Sequence, residues 1–224
     1  MNEHTNSSSA LGADKALKLL QEGNARFVQA NRKFPHVNRD RLQDILGGQQ
    51  PFATVLSCSD SRVPPEHLFD LGFGDIFVIR VAGNVCGIDE IGTIEYGVEH
   101  LETPLMVVLG HTLCGAVTAV VNEDKAGGCI PSLLAKIQPA IDITKSDYPQ
   151  LEGSAIVTEA VKANIWRAID DLFQHSPATR ARAKDARVRV VGAIYHLEDG
   201  SVEWLGTHPR QDELLKYTGG PNLE

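Results

Sequence analysis

No run of 18 apolar residues occurs in this 224-residue chain, so the sequence contains no transmembrane helix. Basic residues are the minority. The 21 Lys and Arg stand against 29 Asp and Glu, and a net charge of −8 argues against a nucleic-acid-binding surface. Cysteine is scarce at four, too sparse for a disulfide scaffold in a chain large enough to bury its own core. No CxxC pair is present, which removes the usual dithiol redox motif. Neither GxGxxG nor a Walker A sequence occurs, so the common nucleotide-binding loops are missing. The first ten residues, MNEHTNSSSA, are polar and lack an apolar h-region. They predict no secretory signal and hence a cytoplasmic protein.

What is present is ordinary globular composition, 42% hydrophobic and 22% charged. The pattern predicts one domain over residues 1–224, with a helical arm over 1–50 and an α/β core over 51–224. A helix is expected from about Ala13 to Asn31, with Asp14 as N-cap and Leu17, Leu20, Phe27 and Val28 on one stripe. A second is expected over Arg39 to Leu46, stopped by Gly47-Gly48. Four short apolar runs follow at 52–57, 75–81, 104–110 and 188–194. Near-continuous apolar runs suit parallel strands buried on both faces. Helical patterns over 90–101, 114–121 and 159–175 lie between them. This alternation predicts a central, mostly parallel sheet of about four strands flanked by helices. Asp199-Gly200, set between two strand-like runs, predicts a hairpin and an antiparallel C-terminal edge strand.

The chemistry concentrates at strand ends. Cys58 closes the first run in Cys58-Ser59-Asp60-Ser61-Arg62, and His111 closes the third in His111-Thr112-Leu113-Cys114-Gly115. Ligands of open α/β sheets bind beyond the carboxyl ends of the strands, where adjacent strands would set Cys58 beside His111. Cys114 falls at a helix start, where amide dipoles favour a thiolate. Two thiolates and an imidazole with a fourth position open is a catalytic zinc ligand set. Three unrelated buried residues would give the same spacing, and a purely structural zinc site would want a fourth side chain: Asp60, Cys86 or Cys129. Asp60 and Arg62, two apart, can form a clamp that keeps the carboxylate ionised and aimed, or an ordinary loop salt bridge.

CSDSR followed 53 residues later by HTLCGAV resembles the β-class carbonic anhydrases. So do GNARFV, SRVPPEHLFDLGFGDIFVIRVAGN, IEYGVEHL and VVGAIYHLEDGSVEWLG, which carry the likeness over most of the chain. The resemblance implies a Zn²⁺ enzyme, a carbonate dehydratase, that interconverts CO₂ and bicarbonate by means of zinc-bound hydroxide. Cys58, His111 and Cys114 would be the ligands and Asp60 with Arg62 the catalytic dyad, Asp60 becoming a fourth ligand only in a closed state. A tryptophan that some members use in a regulatory bicarbonate pocket is replaced by Val55, which favours the open form. The plant-like substrate cleft maps to Gln49 or Gln50, Phe77 and Tyr96, with Val63 able to narrow the slot and Gly83 allowing close backbone approach. The family also implies a homodimer or higher homo-oligomer, with the N-terminal helices wrapping a neighbour. Relatives that hydrolyse carbon disulfide or carbonyl sulfide share the metal motif, and a non-enzymatic zinc-stabilised module is the remaining rival.

Overall fold

The computed structural model describes residues 11–220; the reading of the first ten residues as lacking a secretory signal lies outside them. Five strands, β1 (Ala53–Ser57), β2 (Ile76–Arg80), β3 (Leu105–His111), β4 (Arg189–Tyr195) and β5 (Val202–Gly206), form one sheet in the order β2-β1-β3-β4-β5. β2, β1, β3 and β4 run parallel. β5 returns antiparallel from the Asp199-Gly200 turn and forms the edge that the sequence predicts. Gly200, at φ +79, takes the left-handed conformation this turn requires.

Ten helices cover the sheet: α1 (Ala13–Val28), α2 (Arg39–Asp44), α3 (Pro65–Leu68), α4 (Ile88–Glu95), α5 (Gly115–Val121), α6 (Ile130–Leu134), α7 (Gln138–Asp147), α8 (Gly153–His175), α9 (Pro177–Lys184) and α10 (Gln211–Leu214), counted among the described residues. The parallel strands alternate their side chains between two apolar layers. Leu56, Met106, Val108, Val190 and Ile194 face α8 and its neighbours. Val55, Leu105, Val107, Leu109 and Val191 face α1 and α3. Among the described residues, no helix is long and apolar enough to cross a membrane.

Several boundaries differ from the sequence expectation, α8 beginning at Gly153 rather than near Glu159 and α2 ending at Asp44 rather than Leu46 among them. Gly12, not Asp14, is the N-cap of α1; Asp14 sits in the first turn and binds Arg189 Nη1 at 2.7 Å. α1 stops at Val28 because Ala30 turns left-handed (φ 53) and Asn31 N donates back to Arg26 O. The helix expected over 90–101 is α4 followed by a wider π turn over Tyr96–His100.

The expected stripe of α1 is largely covered within the chain. Ala16 and Leu20 are fully buried against the sheet, Leu17 and Phe27 pack on them, and Val28 stays exposed. Asn24 completes the docking. Its Nδ2 donates to Leu68 O and Gly200 O, and its Oδ1 accepts from Val202 N, at 3.2, 2.9 and 2.9 Å. α2, by contrast, buries none of its residues in this chain, and Leu42 and Leu46 are exposed.

Candidate metal centre

β1 and β3 are neighbours, paired Ser57 with Leu109, so the residue after one strand and the last residue of the other converge. Cys58 and His111 arrive there from the strands, and Cys114 as the N-cap of α5. All three are buried, and their Sγ and ring-nitrogen atoms lie within 4.8 Å of one another. His111 Nδ1 pairs with Thr112 O at 2.9 Å, a contact only an Nδ1–H can make with a carbonyl. That fixes the tautomer and leaves Nε2 a bare lone pair, buried and without a partner among the described residues. An orphaned acceptor between two sulfurs is costly unless a cation takes it. Thr112 is itself held, since its hydroxyl donates to Glu198 Oε2 at 2.8 Å and accepts from Leu197 N at 3.0 Å.

The thiols tell the same story. Cys58 is held well below the usual thiol range, chiefly by a hydrogen bond from Cys114, against the opposing effect of burial and with help from the backbone N–H groups of Asp60 and Gly83. Cys114 is pushed up by donating that bond and by burial. The α5 amides pull it down, as the sequence anticipates, but are outweighed. The pair therefore carries one negative charge by itself, and the second thiolate calls for a cation. Cys₂His suits Zn²⁺, so the residues present fit the group the sequence predicts. Cys129 is exposed at the start of α6 and Cys86 is buried elsewhere; neither joins the three.

Arg62 grips Asp60 from three sides. Its backbone N and Nε donate to Oδ1 at 2.9 and 3.0 Å, and its Nη2 to Oδ2 at 2.7 Å. These bonds hold the Asp60 carboxyl well below the usual carboxylate range despite partial burial. Asp60 Oδ2 stands 4.0 Å from His111 Nε2, beside the three donors. Arg80, which the sequence reading passed over, ties the loop down by donating from Nε to Cys58 O at 3.0 Å and from Nη2 to Asp60 O. Its signal was its place at the C-terminal end of β2, beside the strand that delivers Cys58.

The other predicted residues are distributed differently. Gly83 touches the centre directly, with its N–H on Cys58 Sγ at 3.3 Å, so the close approach it permits is to the Cys58 sulfur. Val63 is fully buried in the layer beneath α1, where it packs in the core; its N–H donates to Asp60 O. Phe77 pairs with Thr54 near the start of the strands, three register positions before Arg80, or roughly 10 Å at strand spacing. Tyr96 stacks on it with ring centroids 5.9 Å apart. Gln49 and Gln50 are exposed just ahead of β1, at that same end. Within one chain these four do not line the Cys58 centre.

The carbonic anhydrase family profile matches residues 53–202. The chain belongs to the carbonic anhydrases, in their β class. It is similar to carbonic anhydrase 2 of Mycobacterium tuberculosis, 36% identical over 189 residues that cover 83% of this chain and 89% of that one. A carbonic anhydrase of Mycolicibacterium smegmatis is likewise 36% identical, over 84% of this chain and 91% of its own. Among solved structures, the β-carbonic anhydrase CafA of Aspergillus fumigatus superposes with a TM-score of 0.72 at 26% identity, over 91% of this chain and 94% of that one. Members of this family are carbonate dehydratases, and the mostly parallel sheet with its antiparallel edge is their fold.

Proposed function

We propose that this carbonic anhydrase reversibly hydrates CO₂ to bicarbonate and a proton at a zinc ion held by Cys58, His111 and Cys114. The observation that carries the reading is the free, buried Nε2 of His111 set between two thiols and beside a clamped carboxylate. A zinc ion bound there supplies the Lewis acidity that makes water a nucleophile near neutral pH.

The chain's own residues do the rest. Arg62 keeps Asp60 ionised and fixes the plane of its carboxylate, so Oδ2 can only accept a hydrogen bond at the centre. A water or hydroxide that donates to Oδ2 is thereby oriented with a lone pair away from Asp60 and toward the carbon of CO₂. The clamp corresponds in this reading to the open form, in which Cys58, His111 and Cys114 would hold the metal and Asp60 would not. Arg62 also reaches Leu113 O at 3.4 Å, which joins the Asp60 loop to the segment that carries His111 and Cys114.

Gln49 or Gln50, Phe77 and Tyr96 serve, in this reading, the centre of a second copy. β2 is an edge strand in this chain, and Phe34, Val37, Leu42 and Leu46 lie exposed on and around α2. An open strand edge beside apolar surface suits pairing with another chain. The wrapping element is then α2 and its flanks, since the stripe of α1 is spent on its own sheet.

Stopped-flow CO₂ hydration against pH, on protein whose zinc is quantified in the same sample, tests the assignment. About one zinc per chain, with hydration rising toward alkaline pH, is the expected result. Zinc-replete protein that leaves CO₂ alone but hydrolyses carbon disulfide or carbonyl sulfide would replace it. Zinc-replete protein inert toward all three would leave a structural metal module.

A further inference from the structure

Asn164 lies on α8 in an otherwise apolar neighbourhood of Ala160, Val161, Ile165 and Ala168, and is 2% exposed. A buried amide costs free energy unless its hydrogen bonds are made. Its Nδ2 donates to Gly83 O at 2.7 Å, across 81 residues of sequence. Gly83 passes the contact on. It adopts φ +71 and presents its own N–H to Cys58 Sγ at 3.3 Å. A Cβ at this position would collide with Ile137 Cδ1 and crowd Ala116, so the residue is held on one side by a helix-borne amide and on the other by packing.

We propose that Asn164 is a positioning residue for the metal ligand Cys58: it fixes the peptide after the Gly83 Cα by its carbonyl, and with φ held at +71 this keeps the N–H of the peptide before that Cα on the ligand sulfur. This rests on the reading of Cys58 as a ligand, but not on CO₂ being the substrate. An N–H···S bond draws electron density from a thiolate and fixes the direction of its lone pairs; the partners of a metal's ligands commonly govern its affinity in this way. The amide also closes a path from α8, which contributes none of the three donors, to the centre they form. A merely structural role would look different: Asn164 would stabilise the packing of α8 without altering how Cys58 binds a metal.

The full chain carrying Asn164→Leu, which keeps the branched outline at larger volume and deletes the donor, and Asn164→Asp, which keeps the size and a polar group but loses the amide donor, decides between these. Cobalt(II) is the spectroscopic probe and a chromophoric chelator the competitor for zinc. The thiolate-to-cobalt charge-transfer band is expected to move to lower energy in both variants. Zinc affinity is expected to fall about 10- to 100-fold. Folded variants with an unmoved band and unchanged affinity would overturn the proposal, and so would loss of fold in both, which would assign Asn164 to the core. An unaltered protein that binds zinc yet hydrates no CO₂ would defeat the proposed reaction while leaving this comparison intact. An unaltered protein that binds neither metal would defeat the ligand set and this proposal with it.

Discussion

Arg62 holds both oxygens of Asp60 with one planar fork, and the oxygen it grips most closely, at 2.7 Å, is the one that stands 4.0 Å from His111 Nε2. The clamp and the approach to the centre therefore act on the same atom. Among the described residues, only the Arg62 fork holds this oxygen back from the His111 nitrogen it faces.

Asp60→Asn is expected to retain zinc and lose hydration by about 10²- to 10⁴-fold, the usual contribution of a positioned acid or base. Zinc analysis and stopped flow on one sample read both quantities. Arg62→Lys should behave similarly, because an ammonium is a point charge and cannot span two oxygens. Unimpaired hydration in either variant would contradict the dyad.

Asp60 is held ionised far into the acid range by Arg62. The acid limb of the hydration profile should therefore not follow Asp60, and its midpoint should be the same in the residual activity of Asp60→Asn as in the unaltered protein. Stopped-flow profiles of the two proteins, with zinc content checked across the pH range, are the measurement.

Asp70 offers a stability test away from the centre. Burial pushes its carboxyl up, but backbone N–H groups of Lys33 and Phe34 and the guanidinium of Arg26 outweigh burial and bring it below its ordinary value. A depressed native value means the stabilisation is whole above the unfolded-chain value of about 3.9 and is lost as pH falls through the lower native one. Asp70→Asn should cost about 2–3 kcal/mol at pH 7, as expected for hydrogen bonds to a charged group. In urea titrations the gap from the unaltered protein should narrow below about pH 4. A gap constant to pH 3 would show that charge is not its source.

Gly23 on α1 lies against the backbone of Phe69, with no room for a methyl group. Gly23→Ala should lift α1 from the sheet and cost about 1–3 kcal/mol. For a chain of this size that is a fall in Tm of roughly 2–12 °C, read by thermal denaturation at fixed concentration. An unchanged Tm would mean that α1 is not docked as described.

Leu46 is 75% exposed and Leu42 39%. Replacing both with glutamate should weaken self-association by at least about tenfold, near 1.4 kcal/mol, and leave far-UV circular dichroism unchanged. Sedimentation equilibrium reads the association, and a constant unaltered by the substitutions would place the contact elsewhere.

Much of this was legible in the residues. The four apolar runs became four parallel strands because burial on both faces leaves little choice of structure. Cys58, His111 and Cys114 were readable because the chemistry of the centre uses side chains delivered by two strand ends and a helix start. What escaped is carried by backbone atoms or by long-range contacts. Gly83 acts through its N–H, Thr112 through its carbonyl, and Asn164 through a partner 81 residues away. The signal for Asn164 was present all the same: an amide beside the apolar stripe of Val161, Ile165, Ala168 and Leu172 must be buried for a reason. The slot residues Phe77 and Tyr96 could be named from resemblance, but not placed, because their distance from Cys58 depends on strand register.

The three hydrogen bonds of Asn24 have a temporal consequence. Two of its partners, Gly200 O and Val202 N, lie 176 and 178 residues further along the chain. During synthesis at about 5–20 residues per second, α1 waits roughly ten to thirty-five seconds for them. α3 and the first strands cover part of its apolar stripe earlier, but its docking stays incomplete for that interval, and the β4–β5 hairpin closes onto a helix made long before. The first helix of this enzyme is thus among the last to settle, and a nascent chain is most open to chaperones at its oldest end.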